Sequence, residues 1–266
     1  MSDAGLDSEH VPFGIDFSVW RPPVEDERQK MRKALGIDED TFVVLTVADN
    51  QERKNLDGAM QIFSKFCIEI EERNISGYVS KKREKVKAKW LVVTRLQSSI
   101  GWDLDDLSRR YGIMDNLVLY ERGIPIKNLW GLYLVADAFL LTSKAEGLAV
   151  PVLEAMATGL LCIGSDFAAI REHLRDGRGW LIKPDYRWLD VFGNSERIMV
   201  DIDDGVRQLQ NLHETSEEEK EEVRQRSLNY VRSRTWEVAG EMVAKIIDQI
   251  NPPTEVKVIA EPMRVE

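Results

Sequence analysis

The sequence predicts an α/β domain in which a parallel sheet is covered by helices on both faces. Short apolar segments that suit β-strands alternate with segments of helical spacing from residue 42 to residue 182. The strand segments are apolar along their whole length, which is typical of parallel strands buried on both faces. The last third of the chain has helical spacing throughout. These three observations predict a single domain with extra helices at its carboxyl terminus.

The spacing of apolar residues gives each element in turn. Residues 42–47 form a β-branched apolar run, which predicts the first strand. The helix expected at 56–72 places Met60, Phe63 and Cys67 on one face. The other strands are predicted at 90–94, 117–120, 138–141, 161–164 and 179–182. The helices between them are predicted at 104–111, 127–135 and 168–174.

The carboxyl-terminal helices are predicted at 203–212, 216–233 and 236–250. Ser216 and Glu219 have the spacing of a capping box, so Ser216 is the expected N-cap. Two prolines after Asn251 end the last helix, since proline cannot continue it. We therefore expect a flexible amino terminus at 1–10, one domain at 11–250 and a mobile tail at 251–266.

The composition is that of a globular protein, and it excludes several classes of function. The chain has 266 residues, with 36 Lys and Arg against 46 Asp and Glu, for a formal net charge of −10. This charge argues against general nucleic-acid binding, which needs a basic surface. The chain has no run of about 18 apolar residues, and its first nine residues are too polar for a signal peptide. Cys67 and Cys162 lack metal-ligand spacing and are expected to be reduced core residues, which favours a cytoplasmic location.

A basic segment from Lys81 to Lys89 contrasts with the acidic chain around it. Such a segment can contact anionic lipids, which would make the protein peripherally membrane-associated. A solvated insertion before the strand at 90–94 is the simpler interpretation. The sequence does not mark His10, His173 or His213 as catalytic, and we expect them to be structural or exposed.

The most informative stretch follows the strand predicted at 138–141. Glu146 and Glu154 lie eight residues apart, on either side of a glycine-containing loop and a proline. Pro151 suits the first position of a helix and Gly159 the position after its end, so a helix of about two turns is expected. A loop between a strand and a helix N-terminus can hold a phosphate group, with the carboxylates binding sugar hydroxyls. A solvated loop and an exposed helix face also explain the spacing.

This stretch resembles the Glu-x7-Glu motif of retaining glycosyltransferases with the two-domain B-type (GT-B) fold. The matching positions are Glu146, Gly147, Pro151, Leu153, Glu154, Ala155, Met156, Ala157 and Gly159. Leu148, Ala149 and Val150 depart conservatively, and Ala149 stands where the family has a glycine.

Three further segments resemble the same family in the same order. Residues 11–16 are similar to the opening strand of its C-terminal domain, and 44–55 to the strand and loop that carry a basic pair. Residues 164–182 are similar to the usual ending of the donor-binding domain. The resemblance covers about residues 11–250.

The resemblance implies a single Rossmann-like parallel-sheet domain, the C-terminal half of a GT-B enzyme of the family-4-like, group 1 type. It implies that the chain binds a nucleotide-diphosphate sugar, of UDP or GDP type, for transfer with retention of configuration. It implies no cofactor besides that donor and no metal, because cations of the protein take the place of a metal.

The resemblance also implies roles for individual residues. Glu146 would bind the donor sugar near its reacting end, and Glu154 would bind the ribose hydroxyls. The implied catalytic residues are Glu146, Arg53 and Lys54. The implied donor-binding residues are Asn50, Gly147, Leu148, Ala149, Val150 and Glu154.

The basic loop departs from the usual family pattern at one position. Lys54 matches the family's lysine, but Asp49 occupies the position of its arginine. Arg53 can supply the missing cation, as in a related family pattern Asn-x-x-Arg-Lys-Asn. Positive charge is needed because the departing diphosphate gains negative charge as the glycosidic bond breaks. The alternative is that both cations are exposed loop residues with no role in binding.

The resemblance begins at the second domain of the complete enzymes, so the acceptor-binding domain is expected to act in trans or to be missing from this chain. In many relatives the last helix, here 236–250, crosses back to that domain. The alternative function is a non-catalytic module for nucleotide-sugar binding or assembly.

Overall fold

A six-stranded sheet forms the centre of the computed structural model, which describes residues 9–76, 87–191 and 193–249, with the backbone alone for 68–76. Its strands are β1 Thr41–Val47, β2 Lys87–Thr94, β3 Leu117–Glu121, β4 Ala138–Leu141, β5 Leu161–Ser165 and β6 Trp180–Ile182. The order in the sheet is β3-β2-β1-β4-β5-β6, and every neighbouring pair is parallel. The predicted α/β parallel-sheet fold is confirmed.

The strand order of the sheet reverses between β1 and β4. From β1 the chain adds β2 and then β3 on one side, and it returns to place β4 on the other side of β1. Leu45 pairs with Phe139 across this junction. The carboxyl ends of β1 and β4 therefore flank a topological switch point, where open α/β sheets bind their ligands.

Helices flank the sheet in packed groups. Their bounds are α1 Glu27–Ala34, α2 Leu56–Ser76, α3 Leu104–Arg110, α4 Ile126–Val135, α5 Val150–Ala157, α6 Ala168–Leu174, α7 Ile202–Glu214, α8 Glu217–Arg232 and α9 Trp236–Gln249. Helix α2 contacts α3 and α7, α1 contacts α4, and α5 contacts α6 and α8. These helices exclude water from the central strands, in which Val44, Leu45, Phe139 and Leu140 are fully buried. Burying each such side chain stabilises the fold by about 1.5–3 kcal/mol.

Most predicted elements lie within two residues of the structure. Helix α6 has the bounds that the sequence predicts, and Ser216 and Glu219 form the predicted capping box ahead of α8. Strand β2 starts three residues earlier than predicted. Lys87 to Lys89 extend it because they pair with the first residues of β1.

Two parts of the architecture were not predicted. Helix α1 was missed because five of its eight residues are charged and Met31 is its one large apolar side chain. The second missed part is an antiparallel hairpin of β7 Pro184–Asp190 and β8 Ser195–Val200. Residue Ile198 of β8 is fully buried, and its N–H donates to the Lys144 carbonyl at 3.1 Å. The hairpin is therefore anchored beside the loop that follows β4.

The opening strand implied for residues 11–16 was wrong. Ile15 forms one isolated bridge with Thr235, and its N–H donates to the Arg234 carbonyl at 2.8 Å. A Cβ on Gly14 would lie 2.5 Å from the Trp236 ring, so this segment needs glycine to pass the start of α9. The segment therefore packs on α9 instead of joining the sheet.

Several expectations fall outside the described residues. These include most of the amino terminus expected to be flexible, the expected tail and the Lys81-to-Lys89 segment up to residue 86. They stay predictions. In the described ranges, no helix combines the length and the apolar character needed to cross a membrane.

Candidate functional site

Two loops at the carboxyl edge of the sheet are tied together at the switch point. After β1, Glu52–Lys54 form one 3-10 turn that ends at Asn55. Asn55 is buried, its Nδ2 donates to the Thr142 carbonyl at 3.3 Å, and Thr142 Oγ1 donates to the Asn55 carbonyl at 2.9 Å. The Lys144 N–H donates to the Arg53 carbonyl at 2.8 Å. These bonds fix the loop after β1 against the loop after β4.

This arrangement brings both predicted cations onto Glu146. Lys54 Nζ donates to Glu146 Oε1 at 2.5 Å, and Arg53 Nη1 donates to Glu146 Oε2 at 3.3 Å. The Glu146 side chain is 7% exposed and the Lys54 side chain 11%, whereas Arg53 is 40% exposed. A carboxylate withdrawn from water in this way requires charged partners. Residues from two separate motifs thus form one cluster, in which two cations share one carboxylate.

The loop after Glu146 enters α5 through a residue in an unusual conformation. Ala149 is the N-cap and has φ 48°, in the left-handed region. An L-residue costs about 1–2 kcal/mol there, which glycine avoids. Because the turn at Ala149 starts the helix at Val150, Pro151 occupies the second helical position, and the predicted first position was wrong by one residue. Gly159, with φ 75°, follows the end of α5 as predicted.

The backbone of residues 147–150 lies next to this cluster. Within the described part of the chain, none of these four N–H groups donates a hydrogen bond. They lie before or at the start of α5, where the helix dipole places partial positive charge. Leu148 is half exposed, and the space around the Gly147 Cα is open. An anionic group could therefore accept hydrogen bonds from this backbone.

Glu154 lies apart from that cluster. Its Oε2 accepts a hydrogen bond from Tyr133 Oη at 2.8 Å, and Tyr133 is buried. Burial raises the pKa of Glu154, and the Tyr133 hydrogen bond offsets this only in part. No hydrogen bond or ion pair between described residues joins Glu154 to Glu146, Arg53 or Lys54. The sequence did not mark Tyr133 as a partner of Glu154, because Tyr133 is one of several residues of α4 that point into the core.

The Asn50 side chain bonds to the loop after β2, and its implied role in donor binding stays a prediction. Its side chain is fully buried, with Nδ2 donating to the Trp102 carbonyl at 2.8 Å and Oδ1 accepting the Trp102 N–H at 2.9 Å. A Cβ on Gly101 would lie 2.4 Å from the Asn50 carbonyl, so the two loops approach closely. The Asn50 amide therefore holds the loop after β2 against the loop after β1.

His173 contacts the motif loop, a role that the sequence did not show. It lies on α6 and is 5% exposed. Its Nε2 lies 2.8 Å from the Leu148 carbonyl, and its Nδ1 lies 3.0 Å from Tyr230 Oη. Burial lowers the pKa of His173, which favours a neutral ring that donates from Nε2 and accepts at Nδ1. The expectation of a structural histidine agrees with this burial, but its support of Leu148 depends on the tertiary structure.

The residues described by the structure include no group of three or more His, Cys, Asp or Glu side chains arranged to hold a metal ion. Cys162 is buried, and burial raises the pKa of its thiol. Cys67 is only partly buried, and in the described part of the chain neither cysteine forms a disulfide.

Comparison with known proteins gives a consistent family match. The family described as "Glycosyl transferases group 1" matches residues 27–199. The curated protein EpsD of Bacillus subtilis (strain 168) is 25% identical over 237 residues, which are 89% of this chain and 54% of EpsD.

Solved structures show the same fold at low identity. A glycosyltransferase from Rickettsia africae ESF-5 has a TM-score of 0.70 and 10% identity, covering 90% of this chain and 56% of its own. Alr3699/HepE of Anabaena, solved in complex with UDP-glucose, has a TM-score of 0.68 and 14% identity, covering 89% of this chain and 56% of its own. The chain thus spans about half the length of the relatives that it matches.

Proposed function

Because the chain belongs to the group 1 glycosyl transferase family, we propose that its switch-point site binds the diphosphate of a UDP- or GDP-type sugar donor for retaining glycosyl transfer. The observation that carries this proposal is the convergence of Arg53 and Lys54 on Glu146 beside the backbone N–H groups of residues 147–150, which donate to no other described residue. The structure of HepE with UDP-glucose supports a nucleotide sugar as the ligand class.

The cations have the central role in this proposal. When the bond from the anomeric carbon to the diphosphate oxygen breaks, the electron pair stays on the diphosphate, which gains negative charge. Lys54 and Arg53 stabilise that charge electrostatically. In the structure Glu146 holds both cations in place, so donor binding shares them between Glu146 and the phosphate oxygens. This arrangement performs the task that a metal ion has in other enzymes, and we propose that no metal is needed.

The carboxylates position the two sugars of the donor. Glu146, at the cluster, accepts hydrogen bonds from hydroxyls of the transferred sugar. Glu154 accepts hydrogen bonds from the ribose hydroxyls, and Tyr133 fixes the orientation of its carboxylate. In retaining transfer the acceptor oxygen bonds to the anomeric carbon on the face that the diphosphate leaves. We propose that an acceptor-binding domain, in this protein or in a partner, completes the site.

The test is calorimetry on the chain with UDP, GDP, ADP and their glucose or mannose conjugates. Lys54→Ala should weaken diphosphate binding at least tenfold, because it removes a charged donor worth about 1.5–3 kcal/mol. Lys30→Ala is the matched control, since Lys30 is 74% exposed on α1 and pairs only with Asp26 among the described residues. It should leave the dissociation constant unchanged.

Four results separate the possible functions. Failure of the wild-type chain to bind any nucleotide would sink the proposal. Equal affinity in Lys54→Ala and Lys30→Ala would remove Lys54 from the site. Donor hydrolysis or sugar transfer, alone or with an added acceptor-binding domain, supports the enzyme. Binding without turnover under every condition would instead indicate the non-catalytic module.

A further inference from the structure

The structure assigns a second phosphate-binding cluster to this chain, formed by Arg95 and Arg122 around Asp49. Arg95 Nε and Nη2 donate to Asp49 Oδ1 and Oδ2 at 3.2 and 3.0 Å. Arg122 Nη1 lies 3.5 Å from Asp49 Oδ2. We infer that the two guanidinium groups bind a phosphate of the nucleotide diphosphate, which extends the proposed function to residues outside the family's basic pair.

The sheet itself places these three residues together. Asp49, Arg95 and Arg122 follow the carboxyl ends of β1, β2 and β3, which are neighbours in the sheet. The Arg122 N–H donates to the Thr94 carbonyl at 2.7 Å, and the Ala48 N–H donates to the Val93 carbonyl at 3.1 Å, so the hydrogen-bond ladder continues to the base of the cluster. The backbone therefore fixes where each side chain starts.

The two arginines of the cluster carry more positive charge than Asp49 neutralises. Arg95 already occupies both oxygens of Asp49, so the second guanidinium leaves an excess charge of +1. The side chains of Arg95 and Arg122 are 38% and 54% exposed, whereas Asp49 is 20% exposed. A neighbouring carboxylate, Glu121, accepts the Leu96 N–H at 3.1 Å and forms no ion pair with another described residue. Guanidinium N–H groups consequently remain available to an anion, for which their fork geometry is suited.

Charge matching connects this cluster to the switch-point site. In that site two cations share Glu146, which also leaves an excess charge of +1. Each cluster includes residues of the loop after β1, which contains Asp49, Arg53 and Lys54, and in this loop Gln51 Nε2 donates to Asp49 Oδ2 at 3.0 Å. A sugar nucleotide carries one negative charge on each of its two phosphates. Each phosphate can therefore be matched by one cluster, and neither cluster alone neutralises the diphosphate.

The experiment is calorimetry of UDP and GDP, each paired with its nucleoside, on Arg122 variants of the chain. Arg122→Ala should weaken nucleoside-diphosphate binding about tenfold, as expected for a lost charge-assisted hydrogen bond, and leave nucleoside binding unchanged. Arg122→Lys should recover part of that loss because it restores the charge without the fork. Arg110→Ala is the matched control, since Arg110 is 70% exposed and pairs with Asp106 on α3. It should bind like the wild type.

Asp49→Asn should change diphosphate affinity in the direction opposite to Arg122→Ala. The amide keeps an acceptor for Arg95 but removes the negative charge, so diphosphate affinity should rise severalfold. A purely structural Asp49 predicts unchanged or weaker binding. The inference is overturned if Arg122→Ala binds UDP and GDP like Arg110→Ala while Lys54→Ala is weakened, a result that leaves the proposed function intact. Wild-type protein that binds neither nucleotide overturns the proposed function and this inference together.

Discussion

The proposed role of Glu154 in donor binding comes at the expense of stability. Its carboxylate is mostly removed from water, and its hydrogen bond from Tyr133 does not restore the pKa to the ordinary value. A group whose folded-state pKa is raised stabilises the fold in its protonated form. That contribution is present below the unfolded pKa and is lost as pH rises through the folded pKa. The charged form at neutral pH therefore costs stability, and a ligand with hydroxyl donors would compensate that cost.

Glu154→Gln tests this balance at the residue scale. The amide oxygen can still accept the Tyr133 hydrogen bond, but no charge is buried. We expect the free energy of unfolding to rise above the wild-type value at pH 7–8, with the difference shrinking towards pH 4.5, while nucleotide affinity falls. Urea denaturation across this pH range and calorimetry at pH 7.5 measure the two effects.

A matched substitution separates burial from a general charge effect. Glu222 lies on α8 with a side chain that is 62% exposed, so Glu222→Gln should change neither the pH profile nor nucleotide binding. A Glu154→Gln protein that is less stable than the wild type at pH 8 would contradict the burial argument.

At the scale of elements, α6 supports the motif loop through His173. The ring joins the Leu148 carbonyl on one side to Tyr230 of α8 on the other. The guanidinium groups of Arg178 and Arg234 in turn lie over the Tyr230 ring, at 4.2 and 4.4 Å from its centroid. Two helices thus fix the backbone ahead of α5, which limits the entropy lost when that backbone meets a ligand.

His173→Gln should separate the titration of this group from its hydrogen bonds. Burial lowers the pKa of His173, so its contribution to stability is present above about pH 6.5 and is lost as pH falls through the folded pKa. The glutamine can bond to the Leu148 carbonyl but cannot take up a proton. We expect the variant to lose less stability than the wild type between pH 7.5 and pH 5.5, measured by urea denaturation, with nucleotide affinity changed by less than about threefold.

His213 provides the control for that experiment. Burial also lowers its pKa, but it packs on Phe42 away from the motif loop. His213→Gln should likewise reduce the stability that is lost as the pH falls. His173→Ala should weaken nucleotide binding, whereas His213→Ala should not. Equal nucleotide affinities in the two alanine variants would argue against loop support by α6.

The hairpin of β7 and β8 is a second element that supports the site. Arg197 and Lys144 both pair with Glu52, which opens the 3-10 turn containing Arg53 and Lys54. Lys144 Nζ also lies 5.8 Å from the centroid of the Trp188 ring. The hairpin therefore contacts the loops after β1 and β4 at once, and it braces them against each other.

At the scale of the whole molecule, the proposed ligand should stabilise the complete domain. The site joins loops from both halves of the sheet, so a bound nucleotide must leave before the domain unfolds. At a concentration of 100 times the dissociation constant, such a ligand adds about 2.7 kcal/mol to the free energy of unfolding. For a domain of this size that corresponds to a rise in Tm of about 5–10 °C.

A thermal-shift screen with UDP, GDP, ADP and their sugar conjugates measures this effect and identifies the base. The cognate nucleotide should raise Tm in proportion to the logarithm of its concentration, and Lys54→Ala should reduce the rise. A Tm that is independent of every nucleotide in the screen would contradict donor binding by this chain.

Local pattern was enough to predict the alternating strands and helices. Strands β1, β4 and β5 are short apolar runs, and the ends of α5 and α8 have recognisable residues at Gly159 and Ser216. The hairpin escaped prediction because β7 has no continuous apolar run, and four of its seven residues are exposed. Residues 11–16 look like a strand locally, but their surroundings provide one bridge and no ladder.

The sequence by itself determined the fold class, the bounds of most elements and the two motifs that contain Lys54 and Glu146. The fold class and the element bounds follow from neighbouring residues, because periodicity and helix capping are local properties. The two motifs are recognised by their resemblance to those of a glycosyltransferase family. Only the tertiary structure joined Lys54 to Glu146, turned Asn50 towards Trp102 and gathered Arg95 and Arg122 around Asp49. These contacts connect residues that are tens of positions apart, and strand order and register bring the ends of different strands together at one edge of the sheet.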